Sequence, residues 1–146
     1  MDSSFVGRSF PLGEPYLVGA EKIREFASAI GDDNPISHST VAAQAAGYDA
    51  LVAPPTFAVV AVARAQDAVL FDPALGLDFS RVVHGDQRFV HHRLIVAGDA
   101  LFCTVHVDSI RALGANDVLT VRAELVLSDG QPVTTAISSL VSRGSA

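Results

Sequence analysis

The sequence predicts an α+β fold in which an antiparallel sheet wraps around one enclosed helix, and three observations carry that expectation. Residues 20–70 are Ala-rich with apolar positions at helical spacing. Residues 81–143 are rich in Val, Leu, Ile and Thr, with turn formers between the apolar runs. The segment Phe57–Ala63 is apolar on every side, and a helix of that kind has to be covered by other structure. Helices first and strands after place that helix in the curl of the sheet.

The first helix is expected over Ala20–Ile30, where Ile23, Phe26, Ala27 and Ile30 recur at the i, i+3, i+4, i+7 spacing of one buried face. Gly31 and then Asp32-Asp33-Asn34-Pro35 stop it, because Gly suits a C-cap and Pro cannot continue the hydrogen-bond ladder. A short second helix follows, with Ser39 or Thr40 as N-cap and Gly47 as its stop. After Ala53-Pro54-Pro55-Thr56 a third helix is expected from about Thr56 to Leu70. Strands are expected at 81–91, 100–111, 117–127 and 133–142. Ala97-Gly98-Asp99, Gly114-Ala115-Asn116 and Ser128-Asp129-Gly130 turn the chain between them. Long neighbouring strands with short returns pair antiparallel. The edges of such a sheet need covering, and pairing with a second copy or a related chain does this.

The chain has 146 residues, and 49% are hydrophobic against 18% charged, which suits a single domain over 1–146 with a sizeable core. A net charge of -6 argues against a nucleic-acid phosphate binder. One cysteine, Cys103, excludes an intrachain disulfide framework and a Cys-based structural zinc. MDSSFVGRSF lacks the basic start and apolar stretch of a secretory signal, and no apolar run approaches the roughly 18 residues of a membrane span. A cytoplasmic protein with no membrane insertion, no metal and no cofactor is the expectation.

The densest polar cluster is Gly31-Asp32-Asp33-Asn34-Pro35-Ile36-Ser37-His38. Asp, Asn and Pro after a helix make a turn whose side chains bond back to the backbone. The same residues also admit an acid/base site, because an Asp and a His on one tight overhang can converge on a water or on a substrate C–H. Spacing alone leaves both readings open.

Phe26 through Ala43 resembles the hydratase motif of the MaoC-like, R-specific enoyl hydratase/dehydratase family, which has the hot-dog fold. That motif runs from an aromatic residue to Gly-Asp-x-Asn-Pro-aliphatic-His and then a small residue. Phe26, Gly31, Asp32, Asn34, Pro35, Ile36 and Ala43 fill its slots. The resemblance continues through Ala46-Gly47-Tyr48, Val52-Ala53-Pro54 and Val96-Ala97-Gly98-Asp99, covering nearly the whole chain. It implies a hot-dog chain paired into a double hot dog. It also implies an acyl-CoA or acyl-carrier-protein thioester as substrate, with an Asp and a His orienting the water added to or removed from the β-carbon.

Two departures bear on that chemistry. The motif's His slot holds Ser37, and His38 comes one residue late, which re-aims a side chain by roughly 100° on a helical turn. The family also polarises the thioester carbonyl with a backbone N–H at the start of the enclosed helix, usually from a glycine. Here the stretch is Ala53-Pro54-Pro55-Thr56; if Pro55 fills that slot it has no N–H, leaving Thr56 or Phe57 to donate. Both departures resemble the HadA-type, non-catalytic subunits of heterodimeric (3R)-hydroxyacyl-carrier-protein dehydratases, as does the stretch Val83–Phe89. In those enzymes a partner subunit supplies the Asp, the His and the glycine amide.

The resemblance therefore implies a dehydratase subunit paired with a catalytic MaoC-like chain. Asn34, Ser37, Pro55, Thr56, Phe57, Val60 and Phe89 are then expected against the substrate, with Phe57, Val60 and Phe89 lining the acyl pocket. Two alternatives stay open: a self-sufficient homodimeric hydratase using Asp32 and His38, and a non-enzymatic binder of acyl thioesters or carrier proteins. A thioesterase is the weaker reading, since Asp67 is the only acid in the third helix. Arg81, Arg88 and Arg93, with His84, His91 and His92, form a locally positive stretch against Asp86 alone. This is either a landing site for a phosphate or an acidic carrier protein, or a solvated strand face with charged edge residues. His91 and His92 point to opposite faces of a strand and do not share a metal. Cys103 reads as a buried thiol. His106 and Asp108 share a face with no nucleophile placed beside them. Arg64 and Gln66 mark where the enclosed helix leaves the core or meets a partner.

Overall fold

The computed structural model describes residues 1–144. Three α-helices precede the main sheet: α1 (Ala20–Ala29), α2 (Thr40–Ala45) and α3 (Ala58–Leu70). Two short strands, β1 (Ser9–Pro11) and β2 (Tyr16–Leu17), come before α1. The long strands β3 (Val82–His91), β4 (Ala100–Leu113), β5 (Asn116–Val126) and β6 (Pro132–Ser142) follow α3. All pairings are antiparallel, in the order β1-β4-β5-β6-β3, and β2 adds to β4.

The long strands bury alternate side chains, and this sets the inner face of the sheet. Leu101, Cys103, Val105 and Val107 of β4 point inward with Leu119, Val121, Ala123 and Leu125 of β5 and Val133, Ala136 and Leu140 of β6. Onto that face α3 packs Ala58, Ala61, Val62, Ala65 and Val69, all of them buried. The small alanines let the helix backbone approach the sheet, and Phe57, Ile23 and Leu51 fill the space at its N-terminal end. Helix, sheet and their order agree with the α+β, hot-dog expectation.

Some local details differ from the sequence expectation. The third helix starts at Ala58 because Pro55-Thr56-Phe57 is spent on a turn closed by Phe57 N–H to the Pro54 carbonyl at 2.9 Å. Ile30, placed on the buried stripe of α1, is half exposed at its C-cap. The stripe narrows to Ile23 and Ala27, with Phe26 partly buried. The helix expected to be covered on all sides keeps an open face at Val59, Ala63, Arg64, Asp67 and Ala68. The other described residues leave that face uncovered, because α3 lies over β1, β4, β5 and β6. β1 and β2 were not expected, since two or three residues ending in Pro11 carry no readable alternation.

Among the described residues β3 pairs only with β6 and is a free edge of the sheet. No helix among the described residues is long and apolar enough to cross a membrane.

Candidate active site: the overhang after α1

The overhang after α1 is built by its own side chains. Gly31 takes φ +71, a left-handed conformation open to Gly at no steric cost. Asp32 Oδ1 accepts the Asn34 N–H at 3.0 Å, and Asn34 Oδ1 accepts the Ile36 N–H at 3.3 Å. These bonds cap a 3₁₀ turn over Pro35–Ser37. Ser39 then caps α2 by accepting the Ala42 N–H at 3.2 Å. The turn reading of this cluster therefore accounts for one oxygen of the Asp32 carboxylate and for the Asn34 side chain.

Ser37 and His38 leave this turn in different directions. Ser37 is 2% exposed, and its Oγ donates to the Val52 carbonyl at 2.7 Å. With Val52 N–H donating to the Ile36 carbonyl at 3.0 Å, the overhang is sewn to the segment that leads into α3. His38 turns back toward α1 instead. Its Nε2–H donates to the main-chain carbonyl of Asp32 at 2.6 Å, and Arg24 Nε donates to the His38 carbonyl at 2.9 Å. Asp32 and His38 are thus brought together, through the Asp32 backbone and not through its carboxylate. With Ser28, Gly31 and Asp33 they line one open depression of about 380 Å³.

At the entrance of α3, Pro54 is buried while Pro55 and Thr56 are exposed. The Phe57 N–H, one of the expected donors, is committed to the Pro54 carbonyl. The Phe57 ring is fully buried, edge-on to Phe26 at 5.4 Å and to Tyr16 at 6.3 Å. It occupies the space between α1, β2 and α3, and burial raises the Tyr16 hydroxyl above its ordinary pKa. Val60 and Phe89 are partly buried against the core, and Phe89 stacks on His91 with ring centroids 6.0 Å apart.

The three arginines of the basic stretch are not equivalent. Arg93 makes a bidentate ion pair with Asp99 at 2.7 and 3.0 Å, and Asp99 Oδ2 also accepts the Val96 N–H. That pair shapes the Val96-Ala97-Gly98-Asp99 loop. The Ala97 N–H reaches the Leu51 carbonyl, and Val18 and Gly98 bond the loop to the β2–α1 segment. Arg81 donates to the Gly144 carbonyl. Arg88 is exposed on the outer face of β3, beside Ile137. Arg81 and Arg93 are held by different parts of the chain, so the three do not form one cradle.

Sequence reasoning missed several contacts. Gln66 reaches in from α3 to Ser138 Oγ at 3.2 Å, and Ser138 donates to Gln87 Oε1 at 2.7 Å. A lone Gln in an apolar helix was the available signal. His106 meets a hydroxyl, since Ser9 Oγ and His106 Nδ1 share a hydrogen bond at 2.8 Å, whereas Asp108 bonds Arg122. Arg122 bonds Asp108 and Glu124 on that same outer sheet face. Among the described residues no group of three His, Cys, Asp or Glu side chains is placed to hold a metal ion.

An enclosed helix in an antiparallel sheet, with a Gly-Asp-x-Asn-Pro overhang pinned to the entrance of that helix, defines a hot-dog chain of the MaoC-like dehydratase class. The chain belongs to the FAS1-like, dehydratase domain region family, whose model matches residues 4–136. A UPF0336 protein of Saccharopolyspora erythraea is 57% identical over 146 residues, covering all of this chain and 94% of that one. Among solved structures, a chain of the C-terminally truncated HadBC (3R-hydroxyacyl-ACP dehydratase) complex from Mycobacterium tuberculosis is 33% identical. The alignment covers 97% of this chain and 99% of that one, with a TM-score of 0.85. A MaoC-like dehydratase is 33% identical with a TM-score of 0.87, covering 97% of this chain and 43% of that longer one.

Proposed function

We propose that this chain is the non-catalytic subunit of a (3R)-hydroxyacyl-thioester dehydratase. Its partner is a related hot-dog chain that carries the complete acid/base pair. The observation that carries this reading is the position of Ser37. Where the family places its imidazole, this chain holds a hydroxyl that is buried and already bonded to the Val52 carbonyl. A serine so committed cannot move a proton at neutral pH, and the imidazole of the next residue, His38, is bonded to the Asp32 main-chain carbonyl. The proline at position 55 adds to it, since it removes one N–H from the place where a developing enolate oxygen would be held.

The need for a partner is supported by three surfaces that this chain leaves open: the β3 edge, the inner face of β3, and the Val59–Ala68 face of α3. The HadBC relative is itself a complex, and the longer MaoC-like dehydratase has room for a second unit of this size. In this role Val60 and Phe89 line part of an acyl-binding surface completed by the partner, and Arg88 is the basic residue left to meet an anionic carrier or phosphate. Phe57 supports that surface from within. The substrate is an acyl-CoA or acyl-carrier-protein thioester, and the location is the cytoplasm.

Hydration of a crotonyl thioester, measured on the purified chain and on the chain co-expressed with a related MaoC-like protein, tests the proposal. Activity confined to a stable complex is expected. A robust rate from this chain alone would instead support a self-sufficient homodimer using Asp32 and His38, the reading favoured by the depression those two residues share.

A further inference from the structure

The outer face of the sheet carries a row of side chains that the proposed dehydratase role does not use. Val105 and Val107 of β4 are buried on the inner face, so His106 between them points outward, away from α3. Its cross-strand neighbours are Ser9 of β1 on one side and Arg122 of β5 on the other. The Leu12 N–H donates to the Cys103 carbonyl and the Val107 N–H to the Arg8 carbonyl. By alternation, Ser9 and His106 are a pair without mutual backbone bonds, the kind that brings side chains closest. Ser9 Oγ and His106 Nδ1 lie 2.8 Å apart. His106 Nε2 is buried without a hydrogen-bond partner among the described residues, and it faces Glu124 Oε2 at 3.5 Å. Glu124 is held through its other oxygen by Arg122, which also bonds Asp108 at 3.1 Å.

The carboxylate selects the tautomer of this imidazole. A lone pair on Nε2 would face the negative oxygen of Glu124, so the ring carries its proton on that nitrogen. Nδ1 is then the acceptor, and the Ser9 hydroxyl donates to it. Serine, imidazole and carboxylate therefore stand as a nucleophile, its base and the group that orients the base. Ser9 is exposed. Its own N–H points away from β4 at an edge of the sheet, where it is free among the described residues to meet a developing oxyanion.

We propose that Ser9 is the nucleophile of a second, hydrolytic site for small acyl esters with good leaving groups. Ser9 Oγ bonds the acyl carbon while its proton passes to His106 Nδ1, and the bond from that carbon to the leaving oxygen breaks. The leaving group departs with the electron pair and takes up the proton. Water then attacks the acyl-serine with His106 again as base, releasing the acid and restoring the hydroxyl. Glu124 and Arg122 are positioning residues that act through the imidazole. An exposed serine with one backbone donor suits a reactive ester rather than an amide.

Incubating the purified full chain with p-nitrophenyl acetate tests the proposal. Release of p-nitrophenol is expected, with an acetyl group on the peptide that contains Ser9 when the quenched reaction is read by mass spectrometry. Ser9→Ala should remove that acetyl group and lower the release about tenfold. His106→Gln keeps a polar side chain beside Ser9 and should slow its acetylation about 10²-fold. Glu124→Gln should slow it about tenfold at an unchanged melting temperature, and Glu124→Asp should recover part of the loss. Acetyl groups confined to Lys22 or the amino terminus would overturn the proposal, as would acetylation of Ser9 at the same rate in His106→Gln. Hydration of a crotonyl thioester is measured separately, so neither outcome bears on the proposed function.

Discussion

Ser37 Oγ donates to the Val52 carbonyl at 2.7 Å, in a position where both residues are buried. This bond joins the overhang after α1 to the chain entering α3. A hydroxyl here gives the junction a fixed geometry in place of a titratable group. Ser37→Ala should therefore be a stability variant, leaving the Val52 carbonyl unpaired at a cost of about 1–3 kcal/mol. Urea denaturation should show the midpoint falling with an unchanged slope, while hydration by the co-expressed complex stays within about twofold.

His38→Ala separates the two functional readings. Its imidazole is bonded to the Asp32 main-chain carbonyl and not to its carboxylate, so removing it should leave the activity of the mixed complex unchanged. A general acid or base at this position would instead cost about 10²-fold or more in kcat. Turnover of a crotonyl thioester by the two complexes, each saturated with substrate, reads the difference directly.

Much of the fold was legible because its signals are local. The four long strands came out within two residues of their ends, since β-branched runs and turns built on Gly with Asp or Asn repeat along residues 81–143. Ser39 and Gly47 marked α2 for similar reasons: one side chain caps its start, and one left-handed glycine follows its end. What escaped depends on partners distant in sequence. The basic stretch looked like one patch, yet Arg93 is consumed by Asp99 and Arg81 by the Gly144 carbonyl. At the site, the resemblance implied a histidine slot at Ser37, one residue before His38. It could not show that the serine left behind would find the Val52 carbonyl, because that acceptor lies 15 residues further on.

Arg93→Lys tests whether that pair is structural. The guanidinium holds both oxygens of Asp99, which in turn caps the Val96 N–H, so the fork geometry matters as well as the charge. Lysine keeps the charge and loses the bidentate contact. The partly buried setting makes the loss cost about 1.5–3 kcal/mol, which a thermal melt should register as a drop of several degrees. Arg88→Lys, at an exposed position, should melt like the parent chain.

Phe57→Ala should be the most damaging of these single changes to stability. The ring has no exposed surface and meets Phe26 and Tyr16 edge-on, so truncation leaves a cavity at the start of α3 that its rigid neighbours cannot fill. A cost of about 3–5 kcal/mol is expected by chemical denaturation. Phe57→Leu should recover most of the loss, because the apolar volume rather than the aromatic ring supports this corner.

Cys103 gives a prediction in which pH enters with a definite sign. Burial on the inner face of β4 pushes its thiol up to about 12, so the native chain carries it as the unreactive neutral form throughout the physiological range. A maleimide or disulfide reagent at pH 8 should label the folded protein only as fast as it opens, and label the urea-unfolded chain at once. In the unfolded chain the thiol titrates near its ordinary value of 9.0, whereas the folded chain still holds that proton. Between those two values the native state binds more protons than the unfolded state, so raising the pH through this window weakens folding, and below it the thiol has no effect. Replacing the thiol with alanine should remove this component of the alkaline loss. The difference between parent and Cys103→Ala denaturation midpoints should therefore shift steadily in the variant's favour as the pH rises above 9.0.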